Sequence, residues 1–256
     1  MANSQENLKY ISKSKKATFD SCPLSFKFKY LDKKPEADNP YFIIGIDVHD
    51  FIDNFFKVVS AESDGLKNIN CLKLHPNTEY KKNVMRFELE RWEKISKAGF
   101  DKTFFYPVLS EKRFIVDNPK LIGVVDRVHK CCKADPFSSP DPEFKENDLV
   151  IVENKTGASA DSKAKKYYED LLWYRIIIEI HNPELIPIKW GAVYFPKDNK
   201  VYHYRLEIKD CIELAKSINT ARDNITKRLE SGSWEATPSK SACNWCQYRK
   251  YCEAKI

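Results

Sequence analysis

The chain has 256 residues, 42% of them hydrophobic and 13% aromatic, with a formal net charge of +6, which fits one large folded domain or a domain with a subdomain and excludes a disordered chain. With seven glycines, no Walker A sequence and no GxGxxG, a glycine-rich phosphate loop is excluded as well. No apolar run approaches the roughly 20 residues of a membrane span, and the polar start Met1-Ala2-Asn3-Ser4 lacks a signal-peptide core, so a cytoplasmic protein with no membrane partner is expected.

Residues 15–32 carry Phe19, Leu24, Phe26, Phe28, Tyr30 and Leu31 around Cys22-Pro23 and predict a short helix with its flanks. Residues 44–60 place Val48, Phe51, Ile52, Phe55, Phe56 and Val59 at helical spacing. A second helix is expected over 77–97, opened by Pro76 and Asn77, with Tyr80, Val84, Phe87 and Ile95 on one side. Strands follow at 103–116, 120–131 and 148–154, with a proline-bearing turn segment at 134–147. A long helix at 161–181, strands near 187–195 and 200–207, and a helix at 209–230 complete the pattern. This order predicts an α/β domain with a mixed sheet and an N-terminal helical part.

Charge concentrates at the ends. Residues 1–34 hold eight Lys against Glu6, Asp20 and Asp32, a net of +5; residues 240–256 add a net of +3, which leaves −2 between them. A basic surface of this kind suits a polyanion such as DNA, although Lys-rich ends can also be simply solvated.

Two β-branched runs contain acids. Gly123-Val124-Val125-Asp126-Arg127-Val128 is one, and Val150-Ile151-Val152-Glu153-Asn154-Lys155-Thr156-Gly157 is the other. Side chains two apart on a strand share a face, so Glu153 and Lys155 point together. Asp126 and Glu153 supply the oxygen ligands a hard divalent cation needs, and the Lys155 ammonium could orient a water or stabilise charge on a phosphate. A bare ExK is equally compatible with an ordinary ion pair. His49, on the first long helix, could complete a His/Asp/Glu set or serve as a core histidine.

Cys22 and the group Cys243-x2-Cys246-x5-Cys252 offer four soft ligands drawn from both ends of the chain. A zinc ribbon usually has two CxxC knuckles and this group supplies one, so a cubane cluster suits the spacing at least as well as zinc. Trp245 and Tyr248 could shield such a centre. Cys71, Cys131, Cys132 and Cys211 lack partner spacing and read as buried thiols.

In chain order, Ser21-Cys22-Pro23, Gly45-x3-His49, Glu111 in Ser110-Glu111-Lys112, Gly123-x2-Asp126-Arg127, Glu153-Asn154-Lys155-Thr156-Gly157 and the cysteine group resemble the motifs of the PD-(D/E)xK nuclease superfamily. The closest resemblance is to its iron–sulfur RecB-like exonuclease branch, which includes CRISPR-adaptation exonucleases and the AddB nuclease domain. One position departs: the family's QxxxY helix here reads Asp170-Leu171-Leu172-Trp173-Tyr174, with Asp where Gln is usual.

The resemblance implies a restriction-endonuclease-like core, a central mixed sheet flanked by helices, with a C-terminal Cys-rich clasp. Residues 1–256 would form one nuclease domain: a helical part at 1–100, a core at 101–232, and a clasp from 233–256 with the Cys22 region. It implies a metal-dependent DNA exonuclease for DNA end processing in recombination, repair, phage replication or CRISPR adaptation. Magnesium or manganese would be held by His49, Asp126, Glu153 and the carbonyl of Asn154. Glu153, Asp126, Lys155 and Tyr174 would be catalytic, and a 4Fe-4S cluster would sit on Cys22, Cys243, Cys246 and Cys252. Partners would be DNA, with free ends or single-stranded, and a helicase or a recombination or adaptation protein. The competing readings are a non-catalytic nucleic-acid-binding module with a structural metal clasp, and a zinc-clasped structural protein.

Overall fold

Runs rich in β-branched and aromatic residues build a five-stranded mixed sheet. Its strands are β1 (Pro107–Asp117), β2 (Lys120–Lys130), β3 (Leu149–Asn154), β4 (Trp190–Phe195) and β5 (Lys200–Arg205), in spatial order β1-β2-β3-β4-β5. β3 pairs antiparallel with β2 and parallel with β4, and β5 returns antiparallel to β4. The helices are α1 (Lys13–Ser21), α2 (Pro23–Phe26), α3 (Pro40–Ala61), α4 (Glu79–Lys97), α5 (Ala164–His181), α6 (Ile208–Ser231) and α7 (Lys240–Asn244). The computed structural model describes residues 10–37, 40–61, 74, 76–161, 164–185 and 187–256. The mixed sheet flanked by helices is the α/β, restriction-endonuclease-like architecture the sequence predicts.

Boundaries moved where local capping decides them. The expected strand start at 103 is instead a 3-10 turn, Lys102–Phe104, opened by Asp101, whose side chain accepts from Thr103 N at 2.8 Å. Helix α4 begins after Thr78, whose hydroxyl accepts from Lys81 N, two residues beyond the expected Pro76-Asn77 opening.

The chain divides into two compact units made of discontinuous segments. Unit 1 comprises Met1–Asn39, Ile115–Gly123 and Ile212–Ile256; unit 2 comprises Pro40–Phe114 and Val124–Cys211. In unit 2, α3 and α4 cover one sheet face. Their Val48, Phe51, Ile52, Phe55, Phe56, Val84 and Phe87 pack with Val150, Val152, Trp190, Ala192 and Tyr194 in a continuous core. The other face receives α5, which approaches so closely that a Cβ at Gly191 would lie 2.8 Å from Leu171 Cδ1. That approach explains a glycine inside a buried strand.

In unit 1, Ile11 bridges to Leu121, and Phe19, Phe26 and Phe28 are buried. Trp234 stacks on Phe26 with ring centroids 5.7 Å apart, and Thr237 Oγ1 donates to Ser21 O at 3.0 Å. These contacts join the N-terminal helices to the C-terminal segment. Cys131 and Cys132 are buried, Cys211 is only half-buried, and Cys71 lies outside the described residues. No helix among the described residues is long and apolar enough to cross a membrane.

Candidate active site

The acids and the histidine meet within unit 2. His49 Nδ1 lies 3.2 Å from Glu111 Oε1 and 3.7 Å from Asp126 Oδ2. His49, Glu111 and Asp126 bring ligand atoms within 4.8 Å of one another, and among the described residues no other three His, Cys, Asp or Glu side chains do so. Glu111 adopts φ +43°, a left-handed backbone inside a strand, which costs a non-glycine residue about 1–2 kcal/mol. Such strain marks positions where a side chain's direction matters more than strand regularity.

The group carries surplus negative charge. Burial, then the nearby Glu153 charge, pushes the Asp126 carboxyl up to about 7, although His49 and the Asn154 N–H bond pull the other way. Burial opposes protonation of His49, but the Glu111 hydrogen bond and the charges of Asp126, Glu111 and Glu153 outweigh it and raise the ring to about 9. Crowded carboxylates around one imidazole fit a divalent cation, which would neutralise them and use the imidazole unprotonated.

Glu153, next to last in β3, forms an ion pair with Lys155, whose ammonium also lies 2.9 Å from Asp170 Oδ2. Burial draws the Lys155 pKa down, but Glu153 and Asp170 override it and keep the group charged. The departure at Asp170 therefore falls on the lysine and outside the His49, Glu111 and Asp126 set. Tyr174 is buried; burial, the charges of Glu153 and Asp126, and a hydrogen bond to Glu153 hold its phenol well above the usual range. It serves Glu153 as a donor.

Beneath these residues runs a buried ionic network. Asn154 N donates to Asp126 Oδ2 at 2.8 Å, and Asn154 Oδ1 accepts from Arg127 at 2.9 Å. Arg127 pairs with Glu88 at 2.7 Å, Glu88 with Arg91 at 3.1 Å, and Arg91 with Asp135 at 2.9 Å. Arg91 Nη2 donates to His129 Nδ1 at 3.0 Å, and burial with the Arg91 and Arg127 charges keeps that ring neutral. Two arginines balance two acids, so the desolvated charges are compensated and the chain of bonds fixes Asp126 from below.

The four cysteines converge within unit 1. Cys22, between α1 and α2, lines a small cavity together with Cys243, Cys246 and Cys252. Leu24, Phe28 and Pro238 supply apolar walls. Tyr248 is buried against Phe28 and donates to Glu36 at 2.8 Å, whereas Trp245 is 83% exposed. Neither of the two aromatics expected to shield this centre lines the cavity: Tyr248 packs against Phe28, which does, and the Trp245 side chain at the end of the short α7 faces solvent.

The sequence profile of the PD-(D/E)XK nuclease superfamily matches residues 10–253. The chain belongs to this superfamily. A solved structure from Eubacterium rectale, described as a "Putative exonuclease", aligns with 99% of this chain and 92% of its own at TM-score 0.50 and 12% identity. At that identity the likeness concerns the fold. No curated protein matches the chain.

Within the PD-(D/E)XK framework, Glu111 joins the residues already singled out in the sequence. His49 and Asp126 are joined by Glu111, while Glu153 engages Lys155 and Tyr174, and the Asn154 side chain is taken up by Arg127 and Asp126. Sequence reasoning noted Glu111 only as a motif match; an acid inside the run Ser110-Glu111-Lys112-Arg113 gives no periodic signal. Glu88 and Arg91 were also missed. Their spacing on the buried face of α4, beside Val84 and Phe87, was the available clue.

Proposed function

We propose that this protein is a metal-dependent DNA exonuclease of the iron–sulfur RecB-like branch, hydrolysing phosphodiester bonds at DNA ends, with residues 1–256 working as one nuclease domain. The observation that carries the reading is the convergence of His49, Glu111 and Asp126 on one point, with an acid-clamped lysine, Lys155, completing the motif set. His49, Glu111 and Asp126, with Glu153, would hold magnesium or manganese. The oxygen-rich donors and the raised Asp126 pKa fit that group. A bound ion would supply Lewis-acid polarisation of the phosphate and a water of lowered pKa. Lys155 keeps its proton and stabilises negative charge on the phosphate oxygens. Asp170 and Glu153 hold its ammonium in place, and Tyr174 steadies Glu153. The Glu88–Arg127–Asn154 chain keeps Asp126 in position.

For the cysteine cavity we propose a structural 4Fe-4S cluster on Cys22, Cys243, Cys246 and Cys252. A zinc ribbon usually has two CxxC knuckles and this group supplies one, so its spacing suits a cubane at least as well as zinc. Hydrolysis needs no electrons, so the cluster's role is to tie the two ends of the chain together.

The deciding test is cleavage of end-labelled single- and double-stranded DNA with magnesium, manganese or chelator. Metal-dependent release of short products from ends is expected. No cleavage of any DNA with either metal would overturn the nuclease reading. Release from internal positions alone would overturn the exonuclease assignment.

A further inference from the structure

The whole formal charge excess lies in unit 1. Its segments hold 17 Lys and Arg against 11 Asp and Glu, whereas the segments of unit 2 hold 26 of each. On this basic unit sits a large exposed aromatic, Trp245, 83% accessible at the end of α7. It borders a groove whose other lining groups include Ser21, Ser25, Lys29 and Ser241. An exposed indole beside hydroxyls and an ammonium matches the two faces of a nucleic-acid strand, bases that stack and phosphates that accept hydrogen bonds.

We propose that Trp245 and this groove bind single-stranded DNA, with a nucleobase stacked on the indole and the adjoining phosphates met by Lys29 and the hydroxyls. The choice of DNA rests on the nuclease reading; the choice of a single strand follows from the indole, since only an unpaired base offers a free face. Lys29 lies 2.9 Å from Glu36, a pairing near the surface that can open at little cost. Glu36 would keep the Tyr248 hydrogen bond at 2.8 Å when Lys29 turns to a phosphate. The groove would thus be a contact for the strand separate from the metal-binding residues of unit 2.

The test measures affinity for fluorescein-labelled oligo(dT) and for a blunt duplex by anisotropy, in chelator so that nothing is cut, at several salt concentrations. Trp245→Ala should weaken single-strand binding roughly tenfold and duplex binding much less, and Trp245→Phe should restore most of the loss. Lys29→Gln should lower the single-strand salt slope by about 0.7. Circular dichroism controls for folding. Wild-type affinity in Trp245→Ala would overturn the proposal and leave the indole to another occupant, such as a protein. Equal losses on both DNAs, or a wild-type protein that binds no single strand, would overturn it too. Cleavage with magnesium is scored in parallel. A wild type that cuts DNA while Trp245→Ala binds normally leaves the nuclease reading standing without this surface. A wild type that cuts nothing but binds single strands through Trp245 leaves the surface standing without the nuclease.

Discussion

Unit 2 and unit 1 hold their polar groups in opposite ways. In unit 2 the buried charges Glu88, Arg91, Arg127 and Asp135 are matched inside the protein and set into an aromatic core. In unit 1 four half-buried thiols line a cavity, and among the described residues 11 side chains form the buried apolar set, against 35 in unit 2. A unit with a thin core has little hydrophobic stabilisation to offset chain entropy, so its folding would lean on the cluster proposed for its cysteines. Unit 2 should hold its shape before any ion arrives; unit 1 should depend on what its cysteines bind.

The largest effect should come from the residues of unit 2 proposed to be catalytic, where geometry is prebuilt. Lys155→Ala or Asp126→Ala should lower DNA cleavage by about a thousandfold or more while thermal unfolding stays cooperative. The Asp126 carboxyl also permits a test of sign. Its pKa in the fold is raised from 3.8 to about 7, so in chelator its contribution to stability falls as pH rises between those values. Asp126→Asn, measured by urea unfolding in chelator at pH 8, should therefore be at least as stable as wild type.

Next comes the buried network. Arg127→Met leaves Glu88 without one of its two arginines and should cost about 3–5 kcal/mol in urea unfolding, with activity falling because Asn154 and Asp126 lose their support. A loss below about 1 kcal/mol would break the view of unit 2 as internally compensated.

Cys22→Ala sharpens the other side of the comparison. On the cluster proposal it should abolish the broad visible absorbance and the bound iron and sulfide expected of anaerobically purified wild type. It should also cost on the order of 3 kcal/mol, as a long-loop cross-link does. The same substitution in cofactor-free protein should cost far less, and equal costs would contradict dependence on a ligand. Colourless wild type with stoichiometric zinc would replace the cluster while keeping the clasp.

Smaller effects are expected at the edges of both sites. Asp170→Asn leaves Lys155 its Glu153 partner, so activity should fall by no more than about tenfold. Replacing Arg249 and Lys250 with neutral residues should weaken DNA binding least, and the salt slope should fall by about one for each of the two cations that meets a phosphate.

Much of the fold was legible because burial leaves a local period. Val48, Phe51, Ile52, Phe55, Phe56 and Val59 announced α3, and the β-branched runs announced β2 and β3. The pairing of Glu153 with Lys155 was equally local, since residues two apart on a strand must share a face. Glu111 was harder: its left-handed backbone interrupts the strand, and its partner His49 is 62 residues away. Asp170 was visible as a departure from QxxxY, but its engagement with Lys155 depended on how α5 packs against the end of β3.

By itself the sequence determined the order and type of the elements, the acids and lysine at the strand ends, the cysteine spacing and the concentration of positive charge at the termini. These are properties of short stretches, where alternation or helical period reports burial directly. Only the tertiary structure decided that Glu111 joins His49 and Asp126, that Arg127 and Asn154 brace the site from beneath, that Trp245 faces solvent, and that both units are assembled from separated segments. Those outcomes depend on strand register and on close packing between distant parts of the chain, whose energies arise from many interactions at once and leave no period in any one stretch of residues.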